Sequence, residues 1–263
     1  MSDTFFTSAD GEWFSPTDAT RGPWDVDACH AGPPTGLLAR ASEREIPDRQ
    51  LVRLTAELLR PIPHAGFAVT AEVTRRGRSI STTRLAIVEG SGREVVTATA
   101  MHLATASFGD LPTATTPTPS VAEARPDVFP MRRTLHGRPA FTTSVEAMYP
   151  PGEDPEPGPT RMWMRALPLL PGEEPSPFQR ICPLSDCGNA ISRNGEPEDF
   201  AFLNVDLTIS LHRPPAGDWL GSDSVSRWEP NGIGLSDSLL FDERGPVGRA
   251  LQTLLVRPQR APS

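Results

Sequence analysis

Hydrophobic and polar positions along this chain alternate in blocks, and the blocks fall into two similar sets. In the first set Leu37, Leu38 and Ala41 recur at helical spacing, while Arg40, Glu43, Arg44 and Glu45 turn largely to the other side. Gly32, Pro33 and Pro34 stop the preceding segment; proline is tolerated in a first helical turn because its missing N–H would have no helical partner there. The spacing predicts a helix of about three turns, ended near Pro47. Residues 51–59, 67–76, 79–89 and 94–103 follow with alternation and many β-branched side chains, punctuated by Gly77, Gly90 and Gly92 in the manner of hairpin turns. A short lead-in strand, a helix and four antiparallel strands make an α+β unit, a sheet with one helix packed on one face.

The second set repeats this order. Residues 108–139 are dense in Pro, Thr and Ala without sustained periodicity and read as an extended linker. The second unit begins with residues 141–149, passes a Pro/Gly-rich loop at 150–159 and continues in 160–167, and Ser185 or Asp186 is placed to cap a short helix through Ala190 and Ile191. Four strands are then expected at 200–211, 218–228, 232–241 and 247–256. Leu59-Arg60-Pro61 matches His212-Arg213-Pro214 at an offset of 213 − 60 = 153, and the same offset takes Gly92 to Gly245 and Thr99 to Gln252. Two halves sharing one offset at both ends of a four-strand block are expected to fold alike and to pack pseudo-symmetrically. The expected organisation is an N-terminal unit over 1–107, a linker over 108–139 and a C-terminal unit over 140–263.

The halves differ in their polar residues. Asp206 answers to Arg53, and Gln252 answers to Thr99. Both are expected to face the core or the groove between the units, where an unpaired carboxylate is costly. A polar pair gained by one half only is a candidate site. The competing readings are an Asp206 ion pair with Arg213 or Arg227, and a Gln252 that satisfies backbone groups between sheets.

Composition narrows the function classes. The net charge of −8 argues against a nucleic-acid partner, which would need clustered Lys and Arg. No apolar run approaches the ~20 residues that span a bilayer, and the first residues lack a basic region followed by a hydrophobic one, so no membrane association and a cytoplasmic location are expected. Cys29, Cys182 and Cys187 give no disulfide framework and no zinc spacing. They are expected as reduced, packed thiols, with no metal and no cofactor.

Several motifs, in order, carry a resemblance: HAGPPTGLLARA, ELLRPIP and RRGRSISTTRLAIVEGSGREVVTATAMHLA in the first half, and SDCGN, VDLTISLHRPPAGDWL and NGIGLSDSLLFDERGPVGRALQTLLV in the second. The chain resembles the double hotdog acyl-CoA thioesterases, the thioesterase II-like branch, over nearly all of its length outside the linker and the loops around Pro150 and Glu173. The resemblance implies two tandem antiparallel sheets, each wrapped around one helix, a homodimer of double hotdogs, and an acyl-CoA or acyl-carrier thioester as substrate. It also implies a water-activating trio of Asp, Thr or Ser, and Gln. Asp206 and Gln252 fall on the acid and the amide, and Ser226, with Ser224 as the alternative, on the hydroxyl.

In that scheme Asp206 takes a proton from the water that attacks the thioester carbonyl, and Ser226 and Gln252 orient that water. N–H groups at the helix start, near Gly32 to Gly36, meet the developing oxyanion. His30, Gly32 and Gly36 at the helix entrance are expected against substrate. So is Arg78, which with Arg75, Arg76 and Arg84 is placed to meet CoA phosphates. His30 has packing or capping as its plain role and acid–base chemistry as its sharper one. Asp186 and Asn189 read as helix-start residues. A hotdog hydratase or dehydratase and a non-catalytic acyl-thioester-binding protein are the rival functions; the absence of a His after Asp186-Cys187-Gly188-Asn189-Ala190 counts against the hydratase.

Overall fold

The computed structural model describes residues 3–131 and 137–259. Residues 132–136 of the expected linker, 260–263 of the expected C-terminal unit and 1–2 of the N-terminal one lie outside this description. The first half holds β1 (Phe6–Thr7), β2 (Trp13–Pro16), α1 (Gly32–Glu45), β3 (Gln50–Leu58), β4 (Phe67–Arg76), β5 (Ile80–Glu89) and β6 (Glu94–Leu103). The second holds β7 (Arg125–Asp127), α2 (Phe141–Ser144), β8 (Glu146–Tyr149), β9 (Thr160–Arg165), α3 (Pro177–Ser185), α4 (Gly188–Ile191), β10 (Phe200–Asn204), β11 (Asp206–Leu211), β12 (Leu220–Trp228), β13 (Ile233–Asp242) and β14 (Gly245–Pro258). Among the described residues, no helix is long and apolar enough to cross a membrane.

The two sheets merge into one 14-stranded antiparallel sheet, in the order β1-β2-β4-β5-β6-β3-β11-β14-β13-β12-β9-β8-β7, with β10 also paired to β14. The seam is β3 against β11, where Arg53 lies opposite Ser210, Asp206 opposite Glu57, and Thr55 opposite Thr208. Thr55 and Thr208 are themselves 208 − 55 = 153 apart, the offset of the repeat, so a pseudo-two-fold axis passes between them. The Thr208 hydroxyl donates to Thr55 Oγ1 across it at 3.2 Å. The segment expected as linker contributes β7 to a sheet edge, paired with β8.

Helix α1 lies between the sheet and α3. Its apolar side, Leu37, Leu38 and Ala39, is buried against the sheet core. Its polar side is covered as well: buried Arg40 makes a two-pronged ion pair with Glu173, both bonds 2.7 Å. Glu43 accepts from Ser176 Oγ and Gln179 Nε2, and burial raises its carboxyl above the usual range despite these donors.

The second-half helix differs from expectation. It begins at Pro177, with Ser176 Oγ accepting from Gln179 N, rather than at Ser185 or Asp186. It breaks after Ser185 and resumes as α4, so Asp186 stands at the C-terminal cap of α3, in the gap between two helical pieces.

Candidate active site

Between Asn204 and Asp206 the strand slips. Asn204 is opposite Leu254 and Thr208 is opposite Leu251, so 208 − 204 = 4 steps on one strand face 254 − 251 = 3 on the other. The extra residue is a β-bulge centred on Val205, and a bulge of one residue exchanges the faces of everything beyond it. Phe202 and Asn204 turn toward the helices before it; Leu207, Ile209 and Leu211 do so after it. Asp206 therefore falls on the outer face. Its Oδ1 accepts from the Thr253 backbone N–H at 2.6 Å and its Oδ2 from the Thr253 hydroxyl at 3.0 Å. The carboxylate thus satisfies an N–H on the strand opposite the bulge.

Gln252, next to Thr253, points to the opposite face and is 1% exposed. The expected trio is thus not assembled: Asp206 and Gln252 lie on opposite faces of one sheet. Ser226 shares the inner face with Gln252, but Ser236 stands between them in register, a separation of about 10 Å at two strand spacings. Ser226 Oγ bonds Ser192 Oγ at 2.8 Å, and Ser224 Oγ bonds those of Ser222 and Ser238. Neither the Arg213 nor the Arg227 pairing weighed for Asp206 forms; Arg213 is bound to Asp242 instead.

The acid that meets Gln252 is Asp186, only 3% exposed. Gln252 Nε2 donates to Asp186 Oδ1 at 3.3 Å and to its backbone oxygen at 3.0 Å. Gln252 Oε1 accepts from the Asn189 N–H at 3.0 Å, and Asn189 Nδ2 donates to Phe202 O. Asn204, turned inward just before the bulge, donates to Asp186 Oδ1 at 2.8 Å. His30 Nδ1 lies 2.9 Å from Asp186 Oδ2. The His30 ring stacks on Phe141, with centroids 3.9 Å apart and planes 15° apart. The bulge, the helix break and the loop before α1 thus converge on one buried carboxylate with three side-chain nitrogens around it.

This cluster forms one wall of a cavity of about 420 Å³. Trp24, Leu58, Ile62, Met131 and Phe202 give it apolar walls, and both halves of the chain contribute. Cys29 also borders it, but burial pushes its thiol up to about 12, and only the thiolate is a competent nucleophile. All three cysteines are free and buried, as packed thiols are.

Gly32 and Gly36, expected against substrate, lie instead in the seam between α1 and α3. A Cβ on Gly32 would sit 2.9 Å from both Cα and O of Pro183 and 3.2 Å from Asp186 Cβ; one on Gly36 would meet the Leu169 methyls at 3.0 Å. Gly32→Ala is expected to cost about 1–3 kcal/mol by overpacking and to move Asp186. Gly36→Ala presses on the Leu169 side chain, which can yield, and meets the backbone only at Gln179 O, at an ordinary contact distance of 3.4 Å. Thermal denaturation and kcat measured on both variants test this: Gly32→Ala falls in both quantities and further than Gly36→Ala, and equal behaviour of the two would contradict it.

The helix start offers fewer donors than expected, because Pro33 and Pro34 carry no N–H and Gly32 N lies 3.2 Å from His30 Nδ1. Ala31, the residue before the helix, borders the cavity, and its N–H has no acceptor among the described residues.

Arg78 sits in the β4–β5 turn, two residues before Ile80, whose register partner Leu103 lies opposite Gln50. The cavity takes the other end of β3, at Leu58. Eight residues of strand, about 26 Å, separate them. Arg76 pairs with Asp48 and Arg84 with Glu94. Among the described residues, Arg60 is the arginine that borders the cavity.

Comparison with known proteins agrees with this architecture. Residues 20–103 match the acyl-CoA thioesterase N-terminal domain, and residues 114–256 match the acyl-CoA thioesterase C-terminal domain. No curated protein matches the chain significantly. Among solved structures, a conserved protein of unknown function with hot dog fold from Alicyclobacillus acidocaldarius superposes with a TM-score of 0.71 at 20% identity, covering 97% of this chain and 96% of that one. An acyl-CoA thioesterase II from Mycobacterium marinum gives 0.64 at 18%, covering 97% and 96%. The tesB protein of Mycobacterium avium subsp. paratuberculosis gives 0.62 at 14%, covering 96% of each chain. With both of its halves matched in order, the chain belongs to the acyl-CoA thioesterase family and has the double hotdog fold.

Proposed function

We propose that this protein hydrolyses an acyl-CoA thioester with water activated at the Asp186 carboxylate. The observation that carries this reading is a single buried acid, held by Asn204 and Gln252 on one oxygen and facing His30 on the other, at the wall of an apolar cavity between the halves. The acyl chain lies along Trp24, Leu58, Ile62, Met131 and Phe202, and Arg60 at the cavity rim meets a phosphate of the carrier. The thioester oxygen, as it gains charge, is met by the Ala31 N–H at the positive end of α1. Asn204 takes the orienting role expected of a serine. Asn189 fixes the Gln252 amide by donating its own backbone N–H to Oε1, which leaves Nε2 directed at Asp186.

The test is free-thiol release from a panel of acyl-CoAs of increasing chain length, followed beside the absorbance of an enoyl-CoA. Steady release of thiol is expected. Loss of enoyl absorbance without thiol, or tight binding with neither change, would overturn the reading in favour of a hydratase or a binding protein.

A further inference from the structure

Resting on that thioesterase reading, we infer that the water hands its proton to His30, with Asp186 as the carboxylate that positions the imidazole and stabilises the imidazolium formed in the step. A carboxylate offers about four acceptor sites. Asn204 and Gln252 occupy Asp186 Oδ1, and His30 Nδ1 stands 2.9 Å from Oδ2. A proton on Nδ1 directed at Oδ2 makes Nε2 the lone-pair nitrogen of a neutral ring. His30 lines the cavity, and its Nε2 has no hydrogen-bond partner among the described residues. The ring is held on three sides: Phe141 covers one face at 3.9 Å, Asp186 holds Nδ1, and the His30 backbone N–H is tied to Thr20 O at 2.7 Å. A base must be placed within hydrogen-bond reach of the proton it takes, and a ring fixed in this way with one open nitrogen on an apolar cavity is so placed. The Gly32 N–H also points at this Nδ1, 3.2 Å away, and donates to it only in the other tautomer, in which Nδ1 is bare and Asp186 has no ring proton to accept.

The step balances without any further reactant. As the water oxygen bonds to the thioester carbon, Nε2 takes one of its protons and the carbonyl electrons move onto oxygen. The tetrahedral species collapses, the C–S bond breaks with its pair on sulfur, and the imidazolium returns the proton to the thiolate. The products are a thiol and a carboxylic acid, which ionises to solvent. Asp186 remains an anion throughout and holds Nδ1–H.

The experiment measures kcat and KM for thiol release by wild type, His30→Asn and His30→Ala, with and without added imidazole, each variant first shown to melt as the wild type does. Asn keeps an N–H donor where Nδ1 stands and has nothing at Nε2. A base at His30 predicts that both variants lose about a hundredfold or more in kcat with little change in KM, and that imidazole restores His30→Ala at least tenfold. An Asn variant within threefold of wild type, or a folded Ala variant that imidazole does not restore, overturns the inference and leaves the thioesterase reading standing. A wild type that releases no thiol sinks the underlying reading instead.

Discussion

Asp186→Asn is expected to lower the rate of thiol release by about a thousandfold while leaving the melting temperature near that of the wild type. The substitution keeps the volume and removes the charge. Oδ1 still accepts from Asn204 and Gln252, so the packing at the α3–α4 break survives. The position facing His30 Nδ1, 2.9 Å away, becomes an amide that either donates against the ring or accepts weakly. In both cases the anion that sustains proton removal from water is gone, and an active site without that charge retains only substrate binding and oxyanion contacts. Steady-state kinetics with an acyl-CoA, accompanied by a melting curve, read the two quantities separately. A variant that loses fold and rate together would reassign Asp186 to structure.

The second large effect is expected at Arg213→Ala, a loss of about 3 kcal/mol in unfolding free energy. Asp242 is fully buried, and Arg213 makes a two-pronged pair with it at 2.6 and 2.7 Å. The same guanidinium donates to Gly245 O and Pro246 O, tying the β13–β14 turn to the exit of β11. Removing one partner of a buried pair strands the other charge, which costs about 3–5 kcal/mol; Arg213 is itself 25% exposed, so the low end applies. Burial pushes the Asp242 carboxyl up, but the Arg213 guanidinium and the backbone N–H groups of Ala216 and Arg244 outweigh it and hold the group below its usual range.

The sign of the pH effect follows. A carboxyl depressed in the folded state stabilises the fold above its unfolded value of ~3.9 and loses that contribution as pH falls through the folded value. Urea unfolding at pH 7 and at successively lower pH is therefore expected to show the gap between wild type and Arg213→Ala narrowing below about pH 4. A gap that stays constant would remove the ion pair from the account.

The repeat and the helix of the first half are legible because their signals are local and periodic. Leu37, Leu38 and the paired prolines place α1, and the offset between Arg60 and Arg213 reappears in the structure as Thr55 opposite Thr208. Gln252 was legible as a polar residue on a buried face. Asp206 misled for a physical reason: a strict period of two carries Phe202 and Asn204 inward and Asp206 with them, and nothing in the local pattern announces the extra residue at Val205. Asp186 was hidden by its setting. A carboxylate followed by Cys-Gly-Asn reads as a helix start, whereas Pro177 and Ser176 begin the helix a full two turns earlier and leave Asp186 in its break. The motif SDCGN was the signal available for it, and Asn204, two positions before Asp206, was the signal for the orienting group. The glycines at 32 and 36 pack in the helix seam, a role that a small residue serves as readily as ligand approach, and sequence alone does not separate the two. Arg78 lies at the other end of the sheet from the cavity, and a hairpin tip carries no indication of which end a cavity occupies.

The most direct test sets the two acids against each other. Thiol release from one acyl-CoA is measured for Asp186→Asn and for Asp206→Asn under the same conditions. Asp186→Asn should fall about a thousandfold. Asp206→Asn should keep its turnover within a few fold of wild type and lose about 1 kcal/mol of stability, because its carboxylate holds only Thr253 on the outer face of the sheet. The reverse result, a silent Asp186→Asn beside an inactive Asp206→Asn, would contradict the account.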